Sequence, residues 1–438
     1  MIDDARWQYQ QSVDNAYEDW HPVLMAWVWR RLMFIQPGPA PMLVLQLALY
    51  WGGIALVASW AYRRGRTGLA VALALVGWIP APLTLTGTII KDCLMAGLLC
   101  CATGLLLWRD FIRSGAGRGA LSAAAICALL LAAALRFNAF LACVPLALVA
   151  VPLSFTRTWP RRLVTVLAAT AAFIAVGPAL ATLVNAEKTD VTLSLIIFDL
   201  GGITEHSGVS QFPDMQIADA VAVNRRCYDP YEWDSYSSWA KTPCPIGFER
   251  LESMVDDEDF DASAAWLHAV LSHPLAYAEH RLTHFNLSTW FLVPKGPDFT
   301  AWSQSVANPW NFRVRPNPLL TALTALADAA ALTPLGWPIF WISLALAALI
   351  AAVSARLRPE VQAVAASSFL YGLGYVVFGV ATGMRYYVWT ITGAGLAAVL
   401  VAGELWGRRG GLPRRALLLG TAVVMLPTVL GTVARIAS

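Results

Sequence analysis

This chain has little charge. Of its 438 residues only 13% are Asp, Glu, Lys or Arg, while 58% are hydrophobic. Soluble domains carry about a quarter charged residues, so the composition excludes an ordinary soluble protein and predicts a polytopic membrane protein. A net charge of +3 is too small to point to nucleic acid. The seven cysteines show no Cys-x-x-Cys or zinc-type spacing, so a metal site of that kind is not expected. Five of them (Cys93, Cys100, Cys101, Cys127 and Cys143) lie inside apolar runs, where a lone cysteine acts as a small hydrophobe. There is no phosphate-cradling glycine loop, serine-hydrolase elbow or internal repeat. The lack of inverted repeats speaks against a transporter built on them. The chain opens on a polar run, without a basic flank or apolar stretch, so no cleavable signal peptide is expected there.

What is present is a series of apolar stretches near the length of about 20 residues that a spanning helix needs. Candidate spans lie at about 39–61, 67–87, 92–108, 119–135, 138–155, 163–184, 334–353, 361–382, 386–405 and 415–434. Every second loop is rich in arginine: Arg63, Arg64 and Arg66; Arg109, Arg113 and Arg118; Arg157, Arg161 and Arg162; Arg356 and Arg358; Arg408, Arg409, Arg414 and Arg415. By the positive-inside rule these loops are cytoplasmic. The N-terminal segment, the long 185–317 segment and the C-terminus then lie outside. Arginine far outnumbers lysine, and alanine and leucine abound, a bias of GC-rich bacterial coding. The expectation is an all-α polytopic protein of a bacterial inner membrane, multi-pass, with about ten transmembrane helices. Four parts follow: 1–38, an outer-face loop with interfacial helices; 39–184, a first helix bundle; 185–317, a periplasmic domain of mixed structure; and 318–438, a C-terminal bundle.

The 185–317 segment is the only sizeable polar part, with turn signals at Gly201-Gly202, Asp229-Pro230 and Gly296-Pro297. Asp261 suits the cap of a helix over 262–285, bent at Pro274. Cys227 and Cys244 lie outside the apolar runs and, on this topology, in an oxidising compartment, so a disulfide between them is preferred over two free thiols. The acidic run Asp256–Asp259 could hold a divalent cation, but a solvated loop before a helix is the simpler reading. His280 and His284 share a helix face as zinc ligands can, yet no His-Glu-x-x-His pattern is present, and they read as interfacial or packed. No metal ligand is assigned. No cofactor is called for, a divalent cation being the one candidate.

The few charged residues at membrane depth are informative. Asp4, Gln8 and Gln11 fall at i, i+4 and i+7, on one face of a helix. A second helix from Val23 to Ile35 is apolar, with Trp27 and Trp29 beside Arg30 and Arg31, as in a helix lying in a membrane interface. Asp19 or His21 would cap it, with Pro22 in its first turn. A carboxylate is thereby held at the membrane surface, a plausible place for chemistry on a lipid-borne substrate. Lys91-Asp92 opens the third span, Arg136-Phe137-Asn138 sits at the turn after the fourth, and Arg385-Tyr386-Tyr387 at the turn after the eighth. Intramembrane ionisable groups are costly and mark functional sites by default. Snorkelling of long basic side chains is the plain alternative for any one alone. All three lie on the side of Asp4, and that convergence favours function.

The run Asp4-x-x-x-Gln8-x-x-Gln11, then Asp19-Trp20-His21-Pro22 and a Trp-rich amphipathic helix, resembles the first outer loop of bacterial GT-C glycosyltransferases. These integral membrane enzymes take a sugar from a polyprenyl-phosphate carrier. Lys91-Asp92, Arg136-Phe137-Asn138 and Arg385-Tyr386 also resemble recurrent features of that group, as does a large outer loop midway along the chain. By resemblance, Asp4 matches the family's first-loop acidic residue, the catalytic base. In the family a transmembrane helix precedes that aspartate, whereas here only three residues do. The resemblance therefore implies an upstream apolar span with a basic inner flank, giving eleven spans.

The implied chemistry is inverting transfer to an envelope glycan, lipid or protein acceptor at a site facing the periplasm. A base must take the acceptor's proton, and cations must stabilise the phosphate leaving group. Asp4 is the candidate base. Lys91, Arg136 and Arg385 are candidates for the phosphate, arginine as a fork and lysine as a point charge. Asp19, His21 and Gln8 are placed as substrate-binding, with helix capping an equal reading for Asp19 and His21. Asp92 is counted with them, or simply pairs with Lys91. The partners would be the lipid-linked sugar donor, the acceptor and membrane lipids, with no nucleic acid. Two other classes stay open: a transporter or flippase of lipid-linked sugars, and a non-catalytic membrane subunit of envelope-polysaccharide assembly.

Overall fold

The computed structural model describes residues 2–151, 158–257, 260–294, 305–315, 317–406 and 412–437. Arg157, Arg408, Arg409, Gly296-Pro297 and the Glu258-Asp259 end of the acidic run lie outside the described residues. The described residues form nineteen α-helices, and their only β pairings are two isolated bridges. Seven helices are long and apolar enough to cross a membrane: Ala40–Arg63, Lys91–Phe111, Gly115–Ala133, Trp159–Leu183, Pro359–Phe378, Met384–Trp406 and Arg414–Ile436. The multi-pass, all-helical character expected from composition is therefore present.

The three other expected spans form shorter helices. The 67–87 stretch divides into Thr67–Leu75, a 3₁₀ turn at Val76–Trp78 and Pro80–Leu85. The break has a local cause: Pro80 disfavours the helical region for the residue before it, and Ile79 is extended, with ψ of 127°. Phe140–Ala150 is short, and Pro338–Ser354, at 17 residues, reaches only about 26 Å at 1.5 Å per residue.

The chain divides into two compact units. One comprises Met1–Glu187, Pro294–Leu373 and Met384–Ser438; the other comprises Lys188–Val293 and Gly374–Gly383. The division differs from the sequence-based parts in two places. The described residues of 294–317 belong with the first unit, and 374–383 is drawn into the second by main-chain hydrogen bonds, Trp233 N to Val380 O at 2.8 Å and Thr382 N to Tyr231 O at 2.9 Å.

In the first unit the Lys91–Trp108 helix is central. Within Lys91–Phe111, 83% of the most apolar window is buried, against 6% for Trp159–Leu183. It packs on Ala40–Arg63 through glycines. A Cβ on Gly97 would stand 2.8 Å from Tyr50 N, and one on Gly53 would stand 2.5 Å from Cys100 Cβ. Small residues of this kind let membrane helices approach closely. The pairings 50 with 97 and 53 with 100 advance in the same sense, so the helices are parallel and Lys91 lies at the end where Ala40 begins. At the other end three of the arginine-rich loops meet. Arg64 and Arg358 both reach Asp110, at 3.0 and 2.6 Å, and Arg109 and Arg358 both reach Glu360, at 3.3 and 3.6 Å.

The second unit is helical where mixed structure was expected. Thr192–Ser207, Ala220–Cys227, Phe248–Asp256, Ala262–Ser272 and Pro274–Thr289 make up most of it, with a bridge between Glu232 and Ala381. Gly201-Gly202, read from sequence as a turn, lies inside Thr192–Ser207. The reason is packing: a Cβ on Gly202 would stand 2.0 Å from His280 Nδ1, and one on Gly201 would stand 2.1 Å from Tyr236 Oη. Asp261 does cap its helix, accepting from Ala264 N at 2.9 Å, but the expected bend at Pro274 is a break at His273.

Candidate functional site

The N-terminal helix spans Asp3–Asp14 and ends on Asn15 in a left-handed conformation (φ 55°). Its polar face turns inward, with Gln8, Gln11 and Ser12 buried. Gln11 Nε2 donates to Glu18 Oε1 at 3.2 Å. Arg30, from the next helix, donates to the Ser12 and Val13 carbonyls at 3.4 and 3.3 Å, satisfying acceptors that a helix end leaves open. That next helix spans Leu24–Leu32, shorter than the expected 23–35, and starts at Val23 without a side-chain cap. Neither Asp19 nor His21 caps it, and Pro22 precedes it. The ring of His21 is engaged by Lys91, and the backbone N–H of Asp19 donates to Glu187 O at 3.0 Å.

Asp4 sits in the first turn of the N-terminal helix, among cations. Its Oδ2 is 2.9 Å from Arg385 Nη1 and 3.9 Å from Lys91 Nζ. Lys91 Nζ is 2.8 Å from His21 Nδ1. An ammonium only donates, so Nδ1 accepts and the His21 ring is neutral with its proton on Nε2. Burial, and after it the Lys91 charge, pushes the His21 pKa down to about 3. For Asp4, burial alone would raise the pKa; Arg385 and Lys91 outweigh it and hold the carboxyl below the usual carboxylate range.

Arg136 and Asp92 join the group from the side. Arg136 Nη1 lies 2.8 Å from Asp92 Oδ1. The guanidiniums of Arg136 and Arg385 stand over the Tyr386 ring at 4.8 and 5.0 Å, and Arg385 Nη2 donates to Tyr386 Oη at 3.2 Å. Tyr386 thus links the two arginines. Gln8, one turn after Asp4, is 1% exposed, and neither polar atom of its side chain has a hydrogen-bond partner. Asp92 Oδ2 and Asn138 Nδ2 are likewise buried and unpaired. Leaving such groups unpaired costs about 1–3 kcal/mol each, and these lie on three of the four segments that carry the charges.

Asp4, His21, Lys91 and Arg385 are therefore directly joined, with Arg136 and Asp92 connected through Tyr386. Asp92 pairs with Arg136, where the sequence suggested Lys91. The bridging of Tyr386 has no signal in a sequence beyond its position next to Arg385. Cys227 and Cys244 are joined in a disulfide within the second unit. His280 and His284 are packed in that unit's interior, both fully buried. Among the described residues no cluster of three or more His, Cys, Asp or Glu side chains could hold a metal ion.

The cluster can hold an anion and move a proton: three cations surround one carboxylate that is 22% exposed. Comparison with protein-family models, curated proteins and solved structures finds no match to this chain.

Proposed function

We propose that the chain is an inverting GT-C-type glycosyltransferase of a bacterial inner membrane, taking a sugar from a polyprenyl-phosphate carrier to an envelope glycan, lipid or protein acceptor on the periplasmic side. In this reading the shorter apolar helices complete a set of about ten spans. The arginine-rich loops face the cytoplasm and Asp4 the outside. The observation that carries the proposal is the Asp4–Arg385 contact of 2.9 Å, with Lys91 3.9 Å from the same oxygen.

A carboxylate paired this closely with cations is a weak base, and the proposed mechanism turns on that. The donor's phosphate, entering among Lys91, Arg136 and Arg385, competes with Asp4 for the same N–H groups. As the guanidinium turns to phosphate, Asp4 loses its counter-charge and its basicity returns toward the usual carboxylate value. Asp4 then takes the proton from the acceptor hydroxyl as that oxygen bonds to the anomeric carbon. The bond from that carbon to the phosphate oxygen breaks, and its electron pair leaves on the phosphate, where the cations stabilise the developing charge. Base activation is thus coupled to donor binding. His21 supports Lys91, and Gln8, Asn138 and Asp92 offer unpaired atoms to sugar hydroxyls.

The test is Asp4→Asn, assayed for turnover and for binding of polyprenyl phosphate. Transfer should be lost with binding kept. A flippase would keep moving its lipid in this variant, and a non-catalytic subunit would tolerate it altogether.

A further inference from the structure

The second unit holds a cavity of about 970 Å³ that the proposed transfer chemistry does not use. The loop closed by the Cys227–Cys244 disulfide forms its wall. Its lining includes Tyr228, Asp229, Glu232, Asp234 and Trp239, with Arg226 and Lys241 among them.

Behind Tyr228 stands a buried chain of polar groups. Tyr228 Oη is 2.9 Å from His280 Nδ1, and His280 Nε2 is 3.2 Å from Asp199 Oδ1. Asp199 also meets Arg281 Nε at 2.6 Å and accepts from Trp266 Nε1 at 2.7 Å. Burial lowers the His280 pKa and favours the neutral ring, with the Asp199 carboxylate beside its Nε2 edge. The hydrogen bond between the Tyr228 hydroxyl and His280 Nδ1 holds the phenol in one orientation. Asp229, Glu232 and Asp234 add acceptors to the lining.

Trp239 is the second independent feature. Its indole is 56% exposed, its Nε1 donates to Asp234 Oδ1 at 2.7 Å, and it packs edge-on against Trp233 at 5.5 Å. An indole anchored along its edge presents an electron-rich face, to which the C–H face of a pyranose is complementary. The acceptors require a ligand that brings donors. Arg226 and Lys241 supply donors in the same wall and offset two of its three carboxylates. A polyhydroxylated ring, donor and acceptor at once, meets both demands.

We propose that this cavity is a saccharide-binding site, taking a hydroxyl-rich neutral glycan with Trp239 as stacking platform and Tyr228 as a hydrogen-bonding group held in place by His280. The proposal does not rest on the transfer reading, because a lectin-like site in this unit serves an enzyme, a flippase or an assembly subunit alike. Calorimetric titration of the purified full-length chain with a panel of neutral hexose and N-acetylhexosamine disaccharides tests it, with spermidine as cationic probe. Saturable binding of at least one disaccharide is expected. Trp239→Ala should weaken it tenfold or more, Trp239→Phe should keep most of it, and Tyr228→Phe should weaken it severalfold. No saturable binding by any disaccharide overturns the proposal. So does an unchanged affinity in Trp239→Ala, an equal loss in Trp239→Phe, or spermidine binding that depends on Trp239.

Discussion

Arg385 and Asp4 lie 381 positions apart in sequence, yet their Nη1 and Oδ2 atoms are 2.9 Å apart. The contact joins the first turn of the chain to the turn before one of its later spans. It holds the carboxylate ionised and at the same time quenches it as a base. Anything that draws the guanidinium away releases that basicity.

If Asp4 is the base, Asp4→Asn should lower turnover by about 10²–10⁴-fold, the usual contribution of a positioned acid–base group. Carrier binding should be unchanged or tighter, since the amide no longer competes with phosphate for Arg385. Single-turnover assays beside carrier-binding measurements separate the two. Weakened binding at unchanged turnover would assign Asp4 to positioning alone.

Arg385→Ala should weaken binding of polyprenyl phosphate about tenfold or more, as loss of a charged hydrogen-bond donor does. Arg385→Lys should recover only part of it, because an ammonium lacks the fork and the planar stack on Tyr386. Binding measured at two salt concentrations checks the ionic share. Full recovery by lysine would show that charge alone matters.

Stability should fall as the solution is acidified below pH 6.5. The folded-state pKa of His21 is depressed to about 3 from 6.5, so the unfolded chain binds the extra proton first. The contribution is whole above pH 6.5 and is lost progressively down to about pH 3, at up to ~1.4 kcal/mol per pH unit. Asp4, Lys91, Arg136 and Arg385 are the charges that bear on this ring. Asp4, with its pKa below the usual range, stays ionised through most of that window. Melting temperature against pH for wild type and His21→Gln measures the effect, and the variant should show the flatter profile.

In the second unit, Asp199→Ala should destabilise by about 3–5 kcal/mol, because it strands a buried guanidinium. Arg281 is 2% exposed, and Asp199 is the carboxylate 2.6 Å from it. Asp199→Asn should recover part of the loss by accepting from Trp266. Denaturant unfolding of the three proteins gives the comparison. A loss below 1 kcal/mol would mean that Arg281 finds other acceptors.

Gly97→Val should separate the Lys91–Trp108 and Ala40–Arg63 helices, since even a Cβ at that position would stand 2.8 Å from Tyr50 N. Overpacking of this kind costs about 1–3 kcal/mol. Gly52→Val, on the partner helix Ala40–Arg63 and with nothing within 4 Å of its Cβ, is the neutral control. Their melting temperatures in one detergent decide it.

The sequence alone determined what depends on composition and local pattern. Low charge and apolar runs of spanning length follow from the solvent a chain must satisfy, and they foretold a multi-pass protein with helical spans, though not the helices of the 185–317 segment. Local rules also placed Asp261 as a cap and singled out Asp4, Lys91, Arg136 and Arg385 as charges too costly to be idle. The same local rules misread Gly201-Gly202, because a glycine pair signals a turn and, equally, a helix face stripped for close contact. Of the two readings they left for His21 and Asp19, capping fails, because the His21 ring turns to Lys91 and the Asp19 main chain to Glu187. Only the tertiary structure decided which charges meet: Arg385 with Asp4, Asp92 with Arg136 rather than its neighbour Lys91, and Tyr386 between two arginines. Periodicity tells which face of a helix is polar, but not which face of another helix lies across from it. That choice is made by packing over hundreds of positions, here by glycines that set two helices side by side and bring Lys91 to the end where Asp4 stands.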